Sequence, residues 1–151
     1  MAAFTHDWLC RQIVDGAPDA VIAADRDGTI RLWNAAAEVM LGYRSHEAVG
    51  KNLDLIIPEK LRARHDEGYR KVMATGVTRY GRGELLKVPA VRKDGSRISL
   101  EFSILLLRDA AGAVLGAAAI LRDVTERWQR EKALRERLAD LERGPAGEAG
   151  R

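Results

Sequence analysis

Short glycine turns between apolar runs constrain the fold of this chain more than any other feature. The segment 97–107 alternates apolar and polar side chains, which is the period of a strand with one buried face. An Asp-Gly pair, Asp94-Gly95, precedes it, and another, Asp27-Gly28, lies between two earlier apolar runs. Because such short turns join strands that run in opposite directions, the sequence predicts an antiparallel sheet.

Five strands are expected in this sheet, with a block of short helices between the second and the third. The predicted strands cover residues 20–25, 29–33, 80–91, 97–107 and 113–123. Asn34 is expected to cap the first helix of the block, which ends at Gly42. An order of strands, then helices, then strands is typical of an α+β domain whose helices gather on one face of an antiparallel sheet.

The last helix of that block is predicted to span Pro58 to Gly76, since proline suits a first helical position and glycine suits a stop. Met73 is expected on its outer side. Its inward face is expected to carry residues at helical spacing: Leu61, His65, Gly68, Tyr69 and Val72. The histidine therefore stands where a leucine would be expected. Two interpretations remain open: a hydrogen-bonded histidine packed in a core, or an axial ligand of a metal or a haem.

Amphipathic helices are predicted to flank the central domain, which is assigned to residues 16–123. The N-terminal flank covers residues 1–15, and the C-terminal flank covers residues 124–143. Apolar residues of the second flank approach a heptad pattern: Trp128, Leu134, Leu138 and Leu141. Either flank could pack on its own domain or against a second chain. Residues 144–151 are expected to be disordered.

Composition and motif content argue against several classes of function. Because 25 basic and 22 acidic residues leave a net charge of only +3, no electrostatic case for nucleic acid or an anionic membrane follows. Cys10 is the only cysteine, which fits a reducing cytoplasm, and no apolar run approaches the roughly 18 residues of a membrane span. The sequence lacks a phosphate-binding glycine loop, a nucleophile elbow and paired histidines at metal spacing, so catalysis is not expected.

Several motifs in a fixed order resemble a PAS domain of the S-box type. They are APDAVIAADRDGTIRLWN, AAAEVMLGY, GKNLDLIIPE, RKDGSRISLEFSI and LRDVTER, and the resemblance covers about residues 10 to 127. It implies a five-stranded antiparallel sheet with helices on one face, in a sensory and interaction module that signals through a C-terminal helix. The Asp-x-Thr motif of the family would be Asp123-Val124-Thr125, with Thr125 expected to cap that helix.

Within that family, LRARHDEGYRKV resembles the haem-binding helix of rhizobial oxygen-sensor kinases and related bacterial gas sensors, in which an Arg-His-Asp places the axial histidine. The resemblance implies that His65 is the axial ligand of haem b. Leu86 falls where oxygen-sensing relatives carry a polar group, so oxygen, carbon monoxide, nitric oxide and redox state all stay open as the signal. The residues expected to line the cofactor are Leu61, Tyr69, Val72, Leu86, Leu100, Phe102, Ile104 and Ile120, and the expected propionate partners are Lys71, Arg79 and Arg82.

A haem-free PAS module is the alternative. In that interpretation the core takes a small organic ligand or none, His65 is packing, and the flanking helices carry the function. A homodimer through these helices is expected in either case, whereas the sequence does not identify the effector. Flavin is not expected, because Cys10 lies outside the middle helices that carry the reactive cysteine of flavin-binding LOV domains. A stand-alone sensor and a piece of a larger protein are both compatible with the sequence.

Overall fold

The computed structural model describes residues 4–78 and 85–145, and its elements follow the predicted order. The helices are α1 (His6–Gly16), α2 (Ala35–Leu41), α3 (Ser45–Ala48), α4 (Arg62–Thr75) and α5 (Thr125–Arg143). The strands are β1 (Ala20–Asp25), β2 (Ile30–Trp33), β3 (Leu86–Val91), β4 (Arg97–Arg108) and β5 (Val114–Asp123). Two 3-10 turns, Leu53–Ile56 and Glu59–Leu61, precede α4. The third strand was predicted from residue 80, but residues 79–84 lie outside the described part of the chain.

The five strands form one antiparallel sheet in the order β2-β1-β5-β4-β3, so the first and last strands pair near its centre. In the register, Ala119 of β5 lies between Ile22 of β1 and Ile104 of β4. Because side chains alternate across a strand, these three share one face, which we call the inner face. Ile120 and its partner Ser103 share the opposite, outer face. The predicted α+β architecture is confirmed.

The core lies between the inner face of the sheet and the short helices that follow β2. Its largest fully buried side chains are Ile30, Leu41 and Leu100. Trp33 is also buried, and its indole N–H donates a hydrogen bond to the carbonyl of Tyr43 at 3.0 Å. Apolar residues of all five strands and of α2 thus bury one another, and those of the strands alternate as predicted.

Asn34 fixes the start of α2 and also joins it to two other parts of the chain. Its Oδ1 accepts the N–H of Ala37 at 3.0 Å, which confirms the predicted cap, and the N–H of Val21 at 2.9 Å. Its amide group donates to the carbonyls of Val14 at 2.8 Å and Asp19 at 3.1 Å. This buried side chain therefore uses both its acceptor and its donor to hold α1, β1 and α2 together.

Helix α4 is shorter than the helix predicted from the sequence. Pro58 has an extended backbone with ψ 136°, and the N–H of Leu61 bonds to its carbonyl at 2.8 Å. That i to i+3 bond makes a 3-10 turn, so the α-helix begins at Arg62 rather than at the proline. Gly76 ends the helix with φ +67°, a left-handed conformation that glycine adopts readily, and this end was predicted correctly.

The orientation of α4 differs from the expected one. Met73 is only 5% exposed and is the buried residue of the helix, so its placement on the outer side was wrong. Tyr69 donates its hydroxyl to the carbonyl of Asp25, at the end of β1, and Arg108 at the end of β4 donates to the carbonyl of Gly76 at 2.8 Å. The helix therefore crosses the end of the sheet that carries the β1–β2 and β4–β5 turns, instead of lying along β4.

The junction between β5 and α5 is fixed by Asp123 and Thr125. Val124 occupies the N-cap position, so the expectation that Thr125 caps the helix was wrong. Asp123 accepts the N–H of Thr125 at 2.9 Å, while the hydroxyl oxygen of Thr125 accepts the N–H of Ser99 at 2.9 Å. Arg92 pairs with Asp123 at 3.1 Å. The start of α5 is thus bonded to both β3–β4 and β5.

The outer face of the sheet carries a charged residue that the sequence did not mark as buried. Glu101 of β4 is 9% exposed and forms an ion pair with Arg127 of α5 at 2.5 Å. A carboxylate this enclosed requires a partner, and the first turn of α5 supplies it. The helix therefore begins against the outer face and then continues away from it with Trp128, Leu134, Leu138 and Leu141 exposed.

The flanking helix α1 ends at Gly16, and α5 ends at Arg143. The division into a central domain of residues 16–123 and two flanks stays a prediction. Of the tail expected to be disordered, residues 146–151 lie outside the described part of the chain. Within residues 4–78 and 85–145, the structure contains no helix with the length and apolar character that crossing a membrane requires.

Candidate functional site

His65 lies near the start of α4, at a small polar cavity beside the turn between β1 and β2. The cavity has a volume of about 180 Å³ and is lined by His65, Asp66, Tyr69 and Arg70 of α4 together with residues 26–28, 52 and 53. The imidazole is 34% exposed. Its Nδ1 is closed off from solvent and finds no hydrogen-bond partner among the described residues. The histidine is therefore placed at a cavity, but not against the strands expected to face it.

Two carboxylates lie close to this imidazole. Asp66 Oδ1 is 3.8 Å from His65 Nδ1, and Asp54, on the 3-10 turn before α4, brings an oxygen into the same group. One ligand atom from each of the three residues lies within 4.8 Å of the other two. Burial, and then the negative charge of Asp66, raises the pKa of the Asp54 carboxyl. The immediate surroundings of His65 are therefore acidic.

Tyr69 holds α4 against the end of β1. Its hydroxyl donates to the carbonyl of Asp25 at 2.6 Å, and its ring stacks near that of His65, with centroids 6.0 Å apart and planes at 25°. Burial raises the pKa of Tyr69 to about 12, so the phenol keeps its proton at neutral pH and remains a donor. The position of the imidazole thus depends on a neutral tyrosine one helical turn away.

The expected lining residues on the strands are divided among three environments. Leu100 is 1% exposed and belongs to the main core, so it presents no surface to a ligand. Ile120 lies on the outer face, opposite to the inner face that carries Phe102 and Ile104. Leu86 pairs with Phe102 at the edge of the sheet. In the part of the chain that the structure describes, these residues therefore do not share one pocket with His65.

On α4 itself the expected lining residues are also separated. Tyr69 lines the cavity with His65 and Val72 is half-buried, whereas Leu61 is exposed. Gly68, expected on the inward face of the helix, is exposed as well. The reason is the orientation of the helix, which turns Met73 inward instead.

Of the three propionate candidates, the structure describes only Lys71, and it is not among the residues that line this cavity. Lys71 is exposed. It follows His65 by six residues, so the two side chains point about 120° apart around the helix axis. Arg79 and Arg82 lie outside the described residues. Arg70, which was not predicted, lines the cavity together with Arg26. Among the residues that the structure describes, the basic groups beside His65 are therefore Arg26 and Arg70, not Lys71.

Haem requires a free imidazole nitrogen, an apolar wall and a cavity of matching size. His65 supplies the nitrogen, and the inner face of β4 offers an apolar surface at Phe102, which is half-buried, and Ile104, which is 40% exposed. The cavity does not match, since about 180 Å³ is smaller than the roughly 300–1,000 Å³ of typical ligand pockets and its lining is charged. In the arrangement described, the residues around His65 do not fit a haem.

Asp54 is the site residue that the sequence did not reveal. It lies in the apolar run Leu53–Ile56, eleven residues before His65, where no helical or strand spacing relates the two side chains. The available signal was Asn52, whose side chain accepts the N–H of Asp54 at 3.0 Å and starts the 3-10 turn. Such a turn could be inferred from the sequence, but its contact with α4 could not.

Comparison with known proteins identifies the family. A family model described as "PAS fold" matches residues 14–129. Among curated proteins, the chain is 31% identical to the Sensor protein FixL of Bradyrhizobium diazoefficiens over 138 residues, which are 91% of this chain and 26% of FixL. It is 32% identical to the Oxygen sensor protein DosP of Escherichia coli over 114 residues, which are 75% of this chain and 14% of DosP.

A solved structure shows the same fold at lower sequence similarity. The crystal structure of a PAS domain from Colwellia psychrerythraea superimposes with a TM-score of 0.70 at 19% identity, covering 81% of this chain and 99% of that one. The chain therefore spans about a quarter of FixL and less of DosP, but nearly all of an isolated PAS domain. Because the family model covers most of the sequence and the sheet has the expected topology, this chain belongs to the PAS family.

Proposed function

We propose that this sensory signal-transduction module binds haem b with His65 as the axial ligand and responds to a diatomic gas or to redox state. The observation in this chain that supports the proposal is the imidazole itself: an unpartnered Nδ1, among the described residues, on a partly exposed side chain at a cavity. The similarity to proteins named as the sensor FixL and the oxygen sensor DosP supports it from outside the chain.

Haem, when bound, supplies an iron centre that can take a gas molecule or change its oxidation state. The contribution of this chain is to hold the imidazole and to admit or exclude the haem. The Tyr69–Asp25 hydrogen bond and the ring stack with His65 keep α4 close over the small cavity. These contacts oppose the binding of a large planar group, so uptake requires that α4 give up part of them.

The output of the module is proposed to pass through α5. Ser99 of β4 donates to Thr125, and Asp123 links the same helix start to Arg92 beyond β3. Phe102 is three residues along β4 from Ser99 and faces inward. If a bound ligand makes different contacts with two arrangements of this sheet, it shifts the populations of those arrangements. The position of α5 would shift with them.

Expression with a haem precursor followed by absorption spectroscopy tests the cofactor. We expect a Soret band that shifts on reduction and on addition of carbon monoxide, and that is lost or altered in His65→Ala. A His65→Ala protein that binds haem with an unchanged spectrum would remove the histidine from the proposal.

A haem-free homodimer is the second candidate, favoured by the exposed apolar side chains of the two flanking helices. On α1, Trp8 is exposed and its ring contacts Phe4 with centroids 5.4 Å apart. On α5, Trp128 and Leu138 are exposed. Sedimentation at several concentrations tests it: we expect a dimer that Leu138→Glu dissociates, whereas a chain that stays monomeric at high concentration would contradict this candidate.

A further inference from the structure

Three potential metal ligands from two different elements lie together beside the cavity at His65, and two of them, His65 and Asp66, line it. Asp54 comes from the 3-10 turn Leu53–Ile56, whereas His65 and Asp66 come from the start of α4. Their ligand atoms lie within 4.8 Å of one another, and the imidazole nitrogen is 3.8 Å from Asp66 Oδ1. Two nitrogen or oxygen atoms bonded to one tetrahedral zinc ion are about 3.4 Å apart, so side-chain rotations that shorten these separations would bring all three ligand atoms to bonding distance.

Two of these three groups are left unsatisfied in the fold. Asp54 Oδ1 and His65 Nδ1 are both closed off from solvent, and within residues 4–78 and 85–145 neither has a hydrogen-bond partner. Buried acceptors normally find a donor, and two neighbouring carboxylates repel each other unless a proton or a cation lies between them. The polar cavity in front of His65 and Asp66 has room for water molecules to complete a coordination shell.

The donor set selects among cations. Imidazole nitrogen suits zinc and the divalent transition metals, whereas sites made of carboxylates and water alone suit magnesium and calcium. The positive groups nearby are partly engaged elsewhere: Arg62 donates to the carbonyl of Ile57 at 3.1 Å, and Arg26 donates to that of Val114. Arg70 also lines the cavity and opposes a cation, while Asp27, another lining residue, carries a charge of opposite sign.

We propose that Asp54, His65 and Asp66 form a binding site for a divalent transition-metal cation of the zinc type, with water in the remaining positions. This site goes beyond haem ligation and does not rest on it. It uses the observed arrangement of α4, in which the cavity is small and its lining is charged. A cation there would tie α4 to the 3-10 turn, and so would favour the arrangement that keeps a larger ligand out.

Calorimetric titration with zinc chloride tests the site in the full chain. His6 Nε2 and Cys10 Sγ lie 3.5 Å apart on the exposed helix α1 and could bind zinc on their own, so every protein in the series carries Cys10→Ser. We expect one equivalent of zinc to bind, Asp54→Asn to weaken binding at least tenfold, and the matched variant of an exposed acid on α4, Glu67→Gln, to bind as the parent does. Circular dichroism checks that each variant is folded.

Two results would overturn the site: absence of saturable binding of one equivalent, or binding that Asp54→Asn leaves unchanged. The outcome is separable from that of the haem proposal, because Asp54→Asn should keep the Soret band that His65→Ala loses. Magnesium chloride in place of zinc should give no saturable binding, and equal binding of both ions would contradict the role of the imidazole.

Discussion

At the scale of single residues, Gly116 is a position where β5 leaves no room for a side chain against β1. A Cβ atom at this position would lie 2.1 Å from the carbonyl oxygen of Ala24 and 3.0 Å from Cα of Asp25. Both are backbone atoms of the paired strand, so no side-chain rotation can relieve the contact. The sequence alone could not predict this contact, because the closeness of the partner depends on the pairing of the first strand with the last.

We therefore expect Gly116→Ala to lower the free energy of unfolding by about 3 kcal/mol, at the upper end of typical overpacking costs. Urea unfolding followed by tryptophan fluorescence measures it. Gly16→Ala is the control, because a Cβ there meets no atom within 4 Å in the described part of the chain. A Gly116→Ala protein as stable as the control would contradict the register in which β1 and β5 pair.

Asp123 gives a second prediction at this scale, one that depends on pH. Burial raises the pKa of this carboxyl, but the hydrogen bonds from Thr125 and the Arg92 guanidinium outweigh burial and hold the pKa below its usual range. A lowered pKa in the folded state stabilises the fold above the unfolded value, about pH 3.9, and this stabilisation is lost as the pH falls through the folded value.

Asp123→Asn should accordingly reduce stability by about 1–2 kcal/mol at neutral pH, since it weakens charge-assisted hydrogen bonds. The difference from the unmodified chain should shrink as the pH falls below about 4. Denaturant titrations at neutral and acidic pH measure both values. A difference that stays constant over this range would show that the charge of Asp123 does not contribute.

At the scale of secondary-structure elements, α4 buries only one of its side chains, that of Met73. Gly68 lies in its middle and is exposed, and a Cβ there would meet no atom within 4 Å among the described residues. Gly68→Ala should therefore stabilise the protein by about 0.5–1 kcal/mol, because glycine loses more backbone entropy in a helix than alanine. Thermal unfolding tests this, and a lower melting temperature would mean that the inward face first expected for Gly68 was correct.

The elements differ in how far the sequence could predict them. The bounds of β1 were predicted as observed, and Asn34 was recognised as a cap, because alternation, turn residues and caps act over a few residues. The orientation of α4 could not be predicted in the same way. Its face is set by contacts with Asp25 and Arg108, which are distant in the sequence, and so Met73 rather than Leu61 became buried.

At the scale of the whole molecule, the fold could be predicted from local patterns, whereas the candidate site depends on contacts between residues distant in the sequence. A recognisable order of turns and strands was sufficient for the PAS architecture, which the structure and the relatives confirm. His65 was singled out by its position on a helix, but its neighbours Asp54 and Asp27 come from separate turns that only the folded chain brings together. Whether this site binds the proposed ligand therefore has to be measured and does not follow from the sequence pattern.

The most direct measurement is a titration of the purified chain with haemin, followed at the Soret band, for the unmodified protein, for His65→Ala and for His46→Ala, which removes an exposed histidine of α3. We predict saturation at one equivalent for the unmodified protein and for His46→Ala, and loss or alteration of the band for His65→Ala. Failure of the unmodified protein to take up haemin, or uptake that is indifferent to His65, would contradict the central proposal that this histidine binds haem in a sensory PAS module.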